Sequence, residues 1–304
     1  SALSQTPDRV LSSDTPIFAV SFLEGGKSIA GAGAGQLRVW DAATGAALTR
    51  LEPAKAAFEF LPHAGQVAQS VPDGTLEILA LPGGKPVRRV PAVSGEMGRP
   101  AFARDGGSFA RAYRTAPGAS ETMVRVRDLD GRPKFAVPAG LGGISVMSFS
   151  PDGRFLVAAS NDTDIRVWNA QSGELVRLIG EMKVTMFALA FSPDGKWLAL
   201  AGADRIVYLY DTANWKLART LTGQPEMISA LAFSPDGRRL VTGGFSELTV
   251  NHPVKIMLWD VASGTALRSM DAPRVVSSAV FSPDGRTIAA ACGQKTVSLF
   301  KAAE

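Results

Sequence analysis

The residues of this chain that could do chemistry are two histidines, one cysteine and four aspartates that recur in the tetrapeptide Ser-Pro-Asp-Gly. A metal ion needs His, Cys or carboxylate ligands that converge, and a nucleophilic enzyme needs a nucleophile beside a base and an orienting group. His63, His252 and Cys292 meet neither requirement, because they stand far apart in the sequence with no partner at a ligand spacing. Cys292 ends the run Ala-Ala-Ala-Cys and reads as a small buried hydrophobe. The aspartates Asp152, Asp194, Asp236 and Asp284 are 42, 42 and 48 residues apart, so each belongs to its own turn rather than to a shared carboxylate site. The Gly-rich stretch Ala30 to Gly35 lacks the Gly-Lys-Ser/Thr of a phosphate loop. The sequence therefore predicts no catalytic residue, no metal site and no cofactor.

Those turns must be held by something, and the flanking residues show what. Phe149, Phe191, Phe233 and Phe281 each precede a Ser-Pro-Asp-Gly, and degenerate copies begin at Phe22, Phe60 and Phe102. Pro presets φ at the second position of a type I turn, Ser suits the first, and Gly closes the fourth. Apolar runs stand on both sides, as in Met186 to Phe191 and Trp197 to Gly202, and short apolar runs bounded by turn residues read as strands buried on both faces. A third strand follows and ends on an aromatic position, Trp40, Trp168, Tyr210, Trp259 or Phe300, whose expected role is packing between neighbouring sheets. Copies two and three carry Leu79 and Arg127 there. A fourth strand closes each unit.

With Phe-Ser-Pro-Asp-Gly and Trp-Asp (Trp40-Asp41, Trp259-Asp260) recurring together, nearly the whole chain resembles the WD40-repeat family. The resemblance implies an all-β, seven-bladed β-propeller of four-stranded antiparallel blades. The blades are expected at 17–51, 56–90, 99–137, 144–179, 185–221, 228–270 and 276–300, within one domain spanning 1–304. The seventh copy stops after its third strand, so residues 6–12, with Arg9-Val10-Leu11, are expected to supply the missing strand and close the ring, and residues 1–5 to be a loose end. One departure stands out: the Gly-His dipeptide usual before the first strand is absent, so the blades are expected to cohere mainly by apolar packing.

Two insertions, residues 114–122 in blade 3 and 245–253 in blade 6, fall between second and third strands and extend one rim. Its loops hold twelve acidic against seven basic residues, which argues against nucleic acid docking there. Three Glu-Met pairs lie in these loops, and methionine is adaptable at protein-binding surfaces. The expected interaction surface comprises Glu96, Met97, Arg114, Glu121, Glu181, Met182, Glu226, Met227, Phe245, Glu247 and His252. The resemblance implies a non-enzymatic scaffold for a protein or peptide partner, with a propeller enzyme or small-ligand binder at the channel mouth as the alternative.

The net charge of +4 does not redirect this reading, since the arginines recur on fourth strands (Arg50, Arg88, Arg89, Arg177, Arg219, Arg268), where charge protects an exposed sheet edge. No apolar run approaches the roughly 20 residues that span a bilayer, and no membrane contact is expected. A soluble protein is expected, with the cytoplasm slightly favoured, either as a monomeric propeller or as a module of a larger assembly. The Ala- and Gly-rich composition fits a bacterial source.

Overall fold

Ser-Pro-Asp-Gly folds as its residue types require. In the computed structural model, which describes residues 5–302 apart from 34, 52–56, 62–64, 181, 247–252 and 293–294, the four turns repeat one set of bonds. The Gly153 N–H donates to the Ser150 carbonyl at 3.0 Å, with Gly153 at φ +71°. Ser150 Oγ donates to Asp152 Oδ1 at 2.5 Å and accepts from the Phe155 N–H at 2.9 Å, while the Arg154 N–H donates to the same aspartate oxygen at 3.0 Å. Serine and aspartate thus satisfy the backbone that the turn would leave unpaired. Equivalent bonds recur at Ser192, Ser234 and Ser282. The carboxyls of Asp236 and Asp284 are held below the ordinary carboxylate range, first by those serine hydroxyls.

Each turn joins the first and second strands of a four-stranded antiparallel sheet, and there are seven such sheets. Blade 1 comprises Ile17–Leu23, Ser28–Gly33, Gln36–Asp41 and Ala47–Leu51; blade 2 Ala57–Phe60, Gln66–Ser70, Leu76–Ala80 and Lys85–Val90. Blade 3 comprises Glu96–Phe102, Ser108–Tyr113, Glu121–Asp128 and Pro133–Leu141; blade 4 Ile144–Phe149, Phe155–Ser160, Ile165–Asn169 and Leu175–Ile179. Blade 5 comprises Met186–Phe191, Trp197–Gly202, Val207–Asp211 and Lys216–Leu221; blade 6 Met227–Phe233, Arg239–Phe245, Val254–Asp260 and Ala266–Ala272. Blade 7 comprises Ser278–Phe281, Thr287–Ala291 and Thr296–Lys301, with Arg9–Ser12 as its fourth strand. This is the blade set of a seven-bladed β-propeller. The chain divides into two compact units, Ser1–Phe58 with Ala190–Glu304, and Glu59–Leu189. No helix among the described residues is long and apolar enough to cross a membrane.

The N-terminal strand pairs antiparallel with Thr296–Lys301, Arg9 opposite Leu299 and Ser12 opposite Thr296, and it buries Leu11. The Lys301 N–H donates to Asp8 Oδ2 at 2.7 Å. Gln5 is not a loose end: its N–H donates to the Ser269 carbonyl at 3.3 Å and its carbonyl accepts from the Asp271 N–H at 3.0 Å, so it continues onto the fourth strand of blade 6. Blade 3 is longer than its sequence spacing suggests, opening at Glu96 with a register shift between Met97 and Ala101.

Burial runs across each blade. Second strands are buried at every position in Ser28–Gly33 and Ser108–Tyr113, whereas Lys85–Val90 is exposed except at Val90. The fourth-strand arginines do more than shield an edge. Arg9 donates to the Ala42 carbonyl, Arg219 to the Val261 carbonyl and Arg268 to the Lys301 carbonyl, while Arg88 pairs with Asp130 at 3.0 Å. In each case the guanidinium fastens its blade to the one that follows. The turn glycine of the receiving blade makes room for this stem: a Cβ on Gly264, itself at φ +78°, would lie 2.8 Å from Arg219 Cδ.

Candidate interaction surface

Four of the residues expected at the surface lie on blade 3. Glu121 opens its third strand, is exposed, and stands in register opposite Leu141, which is 55% exposed at the end of the fourth strand. The Arg114 N–H donates to the Gly95 carbonyl at 3.2 Å, tying the start of the long loop back to the start of the blade. Met97 is half-buried. Glu96 is a different case: its side chain is only 2% exposed and turned into an ion-pair cluster, so its carboxylate is not presented to solvent. Met182, in the neighbouring loop, is buried. In the other unit Met227 and Phe245 are half-buried, and Glu226 accepts from Gln224 Nε2 at 3.0 Å and from the Lys255 N–H at 3.3 Å. Glu181, Glu247 and His252 lie outside the described residues, as does His63.

The expected acidic rim is partly neutralised by bases inside the strands, which pair, Glu96 aside, with four of its twelve acids. Asp14 pairs with Arg38 at 2.5 Å and Arg50 at 2.8 Å, Asp162 and Asp164 share Arg166 at 3.1 Å each, and Asp271 pairs with Lys255 at 2.5 Å. Tyr208 donates to Asp204 Oδ2 at 2.7 Å, and burial together with that carboxylate pushes its phenol up to about 12. Asp162 is held below the ordinary range despite its burial, by Arg166 and the Leu141 N–H. Arg38, Arg166 and Lys255 start on third strands and Arg50 on a fourth strand, and so these loop acids carry less free negative charge than their composition suggests. Among the described residues no three His, Cys, Asp or Glu side chains group as metal ligands.

Two clefts open beside Ser-Pro-Asp-Gly turns. The larger, about 390 Å³, lies between blades 5 and 6 over Trp197, Leu209 and Val261; the smaller, about 130 Å³, lies between blades 7 and 1 over Phe22, Ile29 and Leu299. The carboxylates at the larger cleft, Asp194, Asp236 and Asp260, are each already engaged by backbone N–H and hydroxyl groups.

The WD domain, G-beta repeat family matches residues 135–169, 176–211, 215–247 and 264–301. These segments, just under half of the chain, match the WD40 repeat. Each begins on or just before the fourth strand of one blade and continues into the blade that follows, so every WD40 repeat interlocks two blades, as the N-terminal strand does for the last. No curated protein matches the chain.

Two polar networks escaped the sequence reading. In blade 6, where Gln224 and Thr242 lie inside a WD40 match and Trp259 between two of them, Trp259 Nε1 donates to Thr242 Oγ1 at 2.9 Å and Thr242 Oγ1 donates to Gln224 Oε1 at 2.7 Å. Gln224 Nε2 completes the chain on the Lys255 carbonyl at 2.9 Å. In this blade a polar chain built on glutamine and threonine therefore adds to the apolar packing. In blade 3, outside the matches, Arg127 occupies the position of Trp259 and is 2% exposed. It donates to the Pro91 carbonyl at 3.0 Å and to Glu96 Oε2 at 3.0 Å, with Arg111 and Arg125 each 3.6 Å from the same carboxylate. The signal available beforehand was the alternation Arg125-Val126-Arg127 on a third strand that other copies fill with apolar and aromatic residues.

Proposed function

We propose that the chain is a non-enzymatic scaffold that holds a protein or peptide partner at the end of blade 3 where its long loop emerges. WD40 propellers typically serve as interaction scaffolds. The observation that carries the reading is the loop of blade 3. Between Tyr113 and Glu121 it spans residues 114–120 and is exposed at 115–118 and at Ser120, whereas the same connection in blade 5 needs only residues 203–206. Beside it the Glu121–Leu141 pair offers a carboxylate and an exposed apolar side chain together. Loops on a rigid frame tolerate length only where it is useful or harmless, and binding residues concentrate on such loops. Arg114, Glu121, Met97 and Leu141 on blade 3 form the proposed contact set; Met227 and Phe245, with Glu247 and His252, are a separate candidate on blade 6.

The test is affinity capture with the full chain against a variant in which the blade 3 loop is shortened to the length of the blade 5 connection and Glu121→Lys is added. A protein that binds the wild type and is lost from the variant, with unchanged melting temperature, supports the reading. Equal retention by both overturns it.

A further inference from the structure

Blade 3 buries three guanidiniums around one carboxylate. The side chains of Arg111, Arg127 and Glu96 are 7%, 3% and 2% exposed, and Arg125 is 20% exposed. Three positive charges against one negative leave a net charge of two. Among the described residues no second carboxylate comes within 4.0 Å of any of the three arginines. Arginine cannot shed its proton to escape burial. Its remaining course is to find acceptors, and the cluster is only partly paired: even Glu96 Oε1 is shut off from solvent without a hydrogen bond, 3.6 Å from Arg125 Nη1. Arg111 reaches the Gly74 carbonyl at 3.1 Å and Ser70 Oγ at 3.5 Å, and Arg127 reaches the Pro91 carbonyl. Arg111 Nε, Arg127 Nε and Arg125 Nη1 are shut off from solvent without any hydrogen-bond acceptor.

A buried charge in native proteins is paired, and a buried donor without a partner marks strain, function or a missing ion. Arg125 Cζ also stands over the Tyr113 ring, 3.9 Å from its centroid, a cation–π contact that anchors the guanidinium at the least buried side of the cluster. We propose that Arg111, Arg125 and Arg127 form an anion site that takes a small oxyanion of the phosphate or carboxylate class, entering beside Arg125, the least buried of the three. Glu96 then acts as the internal competitor that holds the arginines in place while the site is empty. This site is independent of the scaffold reading: it uses the interior of blade 3 rather than its loop.

The test is a thermal melt and a calorimetric titration of the full chain with inorganic phosphate, and separately with citrate, at constant ionic strength maintained with chloride. Wild type is expected to show a saturable rise in melting temperature with at least one of the two. Arg125→Gln should lose the saturable rise, and Glu96→Gln, which removes the competitor, should bind the same anion about tenfold more tightly or better. Phosphate alone active assigns a tetrahedral oxyanion, and citrate alone a carboxylate. Excluded kosmotropic anions stabilise any folded protein, so an equal rise in wild type and Arg125→Gln overturns the proposal. No response to either anion overturns it too, as does a Glu96→Gln protein that binds no more tightly.

Discussion

Blades 3 and 6 begin alike and are built differently inside. Both open with a Glu-Met pair and both carry a long loop between second and third strands. At the shared third-strand position blade 6 places Trp259, 1% exposed, and blade 3 places Arg127, 2% exposed. Each is a large flat group with an N–H edge, opposite the second residue of its neighbouring strand, Phe109 or Leu240. The consequences part at the edge. The indole needs one acceptor and receives it from Thr242, and Thr242 and Gln224 pass the bond on until each is paired. The guanidinium brings a full charge, recruits Glu96, and draws in Arg111 and Arg125, and several polar atoms of the cluster stay unpaired. A planar shape can thus be conserved in space while the electrostatic demand changes completely, and the cost of that change falls on one glutamate.

The largest expected effect is therefore at Glu96. Glu96→Gln keeps the volume but leaves three buried arginines without a counter-charge, which should cost about 3–5 kcal/mol, read from the midpoint of urea unfolding without added phosphate. In blade 6, Glu226→Gln, whose carboxylate accepts only neutral donors, should cost about 1 kcal/mol. Equal losses in the two would show that the arginine cluster is not charge-dependent, and the comparison would fail.

Next comes Thr242→Val, which has nearly the same shape and removes the hydroxyl between Trp259 and Gln224. It leaves a buried indole N–H and a buried amide oxygen without partners, a cost of about 1–3 kcal/mol. A change below a few tenths of a kcal/mol in the unfolding midpoint would mean that packing alone holds Trp259.

Glu59, on the first strand of blade 2, sharpens the contrast through pH. A third of its side chain is exposed, yet its Oε2 is shut off from solvent and unbonded, and burial pushes its carboxyl from 4.5 up to about 7, against the pull of Arg99 4.0 Å away. A carboxyl whose folded value is raised binds a proton in the folded chain that the unfolded chain has released. Its contribution is complete below pH 4.5 and is lost as pH rises towards 7. Solvent screening of the exposed portion reduces this contribution to on the order of 1–2 kcal/mol. Unfolding midpoints across this range should decline with pH in wild type and lose that share of the decline in Glu59→Gln; parallel profiles would place the titration elsewhere.

How much of this was legible in the sequence follows from where each signal resides. The turn phenylalanines and Ser-Pro-Asp-Gly repeat locally, so seven sheets and the shared last blade could be read from spacing alone. Arg9-Val10-Leu11 could be assigned because one blade visibly lacked a strand. The Glu96 cluster could not, because Glu96 and Arg127 are separated by 31 positions and nothing in either neighbourhood names the other. Glu96-Met97 read as a rim pair because the loop context was visible and the inward turn of the carboxylate was not. The acidic rim failed for a related reason: Arg38, Arg166 and Lys255 were assigned to strands, although their long stems carry the charge to the loop acids.

The smallest expected effect tests the turns of the same two blades. Blade 6 has Ser234-Pro-Asp236-Gly237, in which Ser234 Oγ donates to Asp236 Oδ1 at 2.5 Å and accepts from the Arg239 N–H at 2.9 Å. Blade 3 has Ala103-Arg-Asp105-Gly106, which keeps the Gly106 N–H to Ala103 carbonyl bond at 3.0 Å and the Gly107 N–H to Asp105 Oδ1 bond at 2.8 Å but has no hydroxyl. Ser234→Ala converts one turn into the other and should cost about 0.5–1.5 kcal/mol at neutral pH. It should also change the acid limb. The Asp236 carboxyl is held low first by Ser234, so its contribution is present above the ordinary carboxylate range and lost as pH falls through its lowered value. Without the hydroxyl, less is available to lose. The difference between wild type and Ser234→Ala should accordingly shrink between neutral pH and about pH 3, and a constant difference across that range would show that the serine acts on the backbone alone.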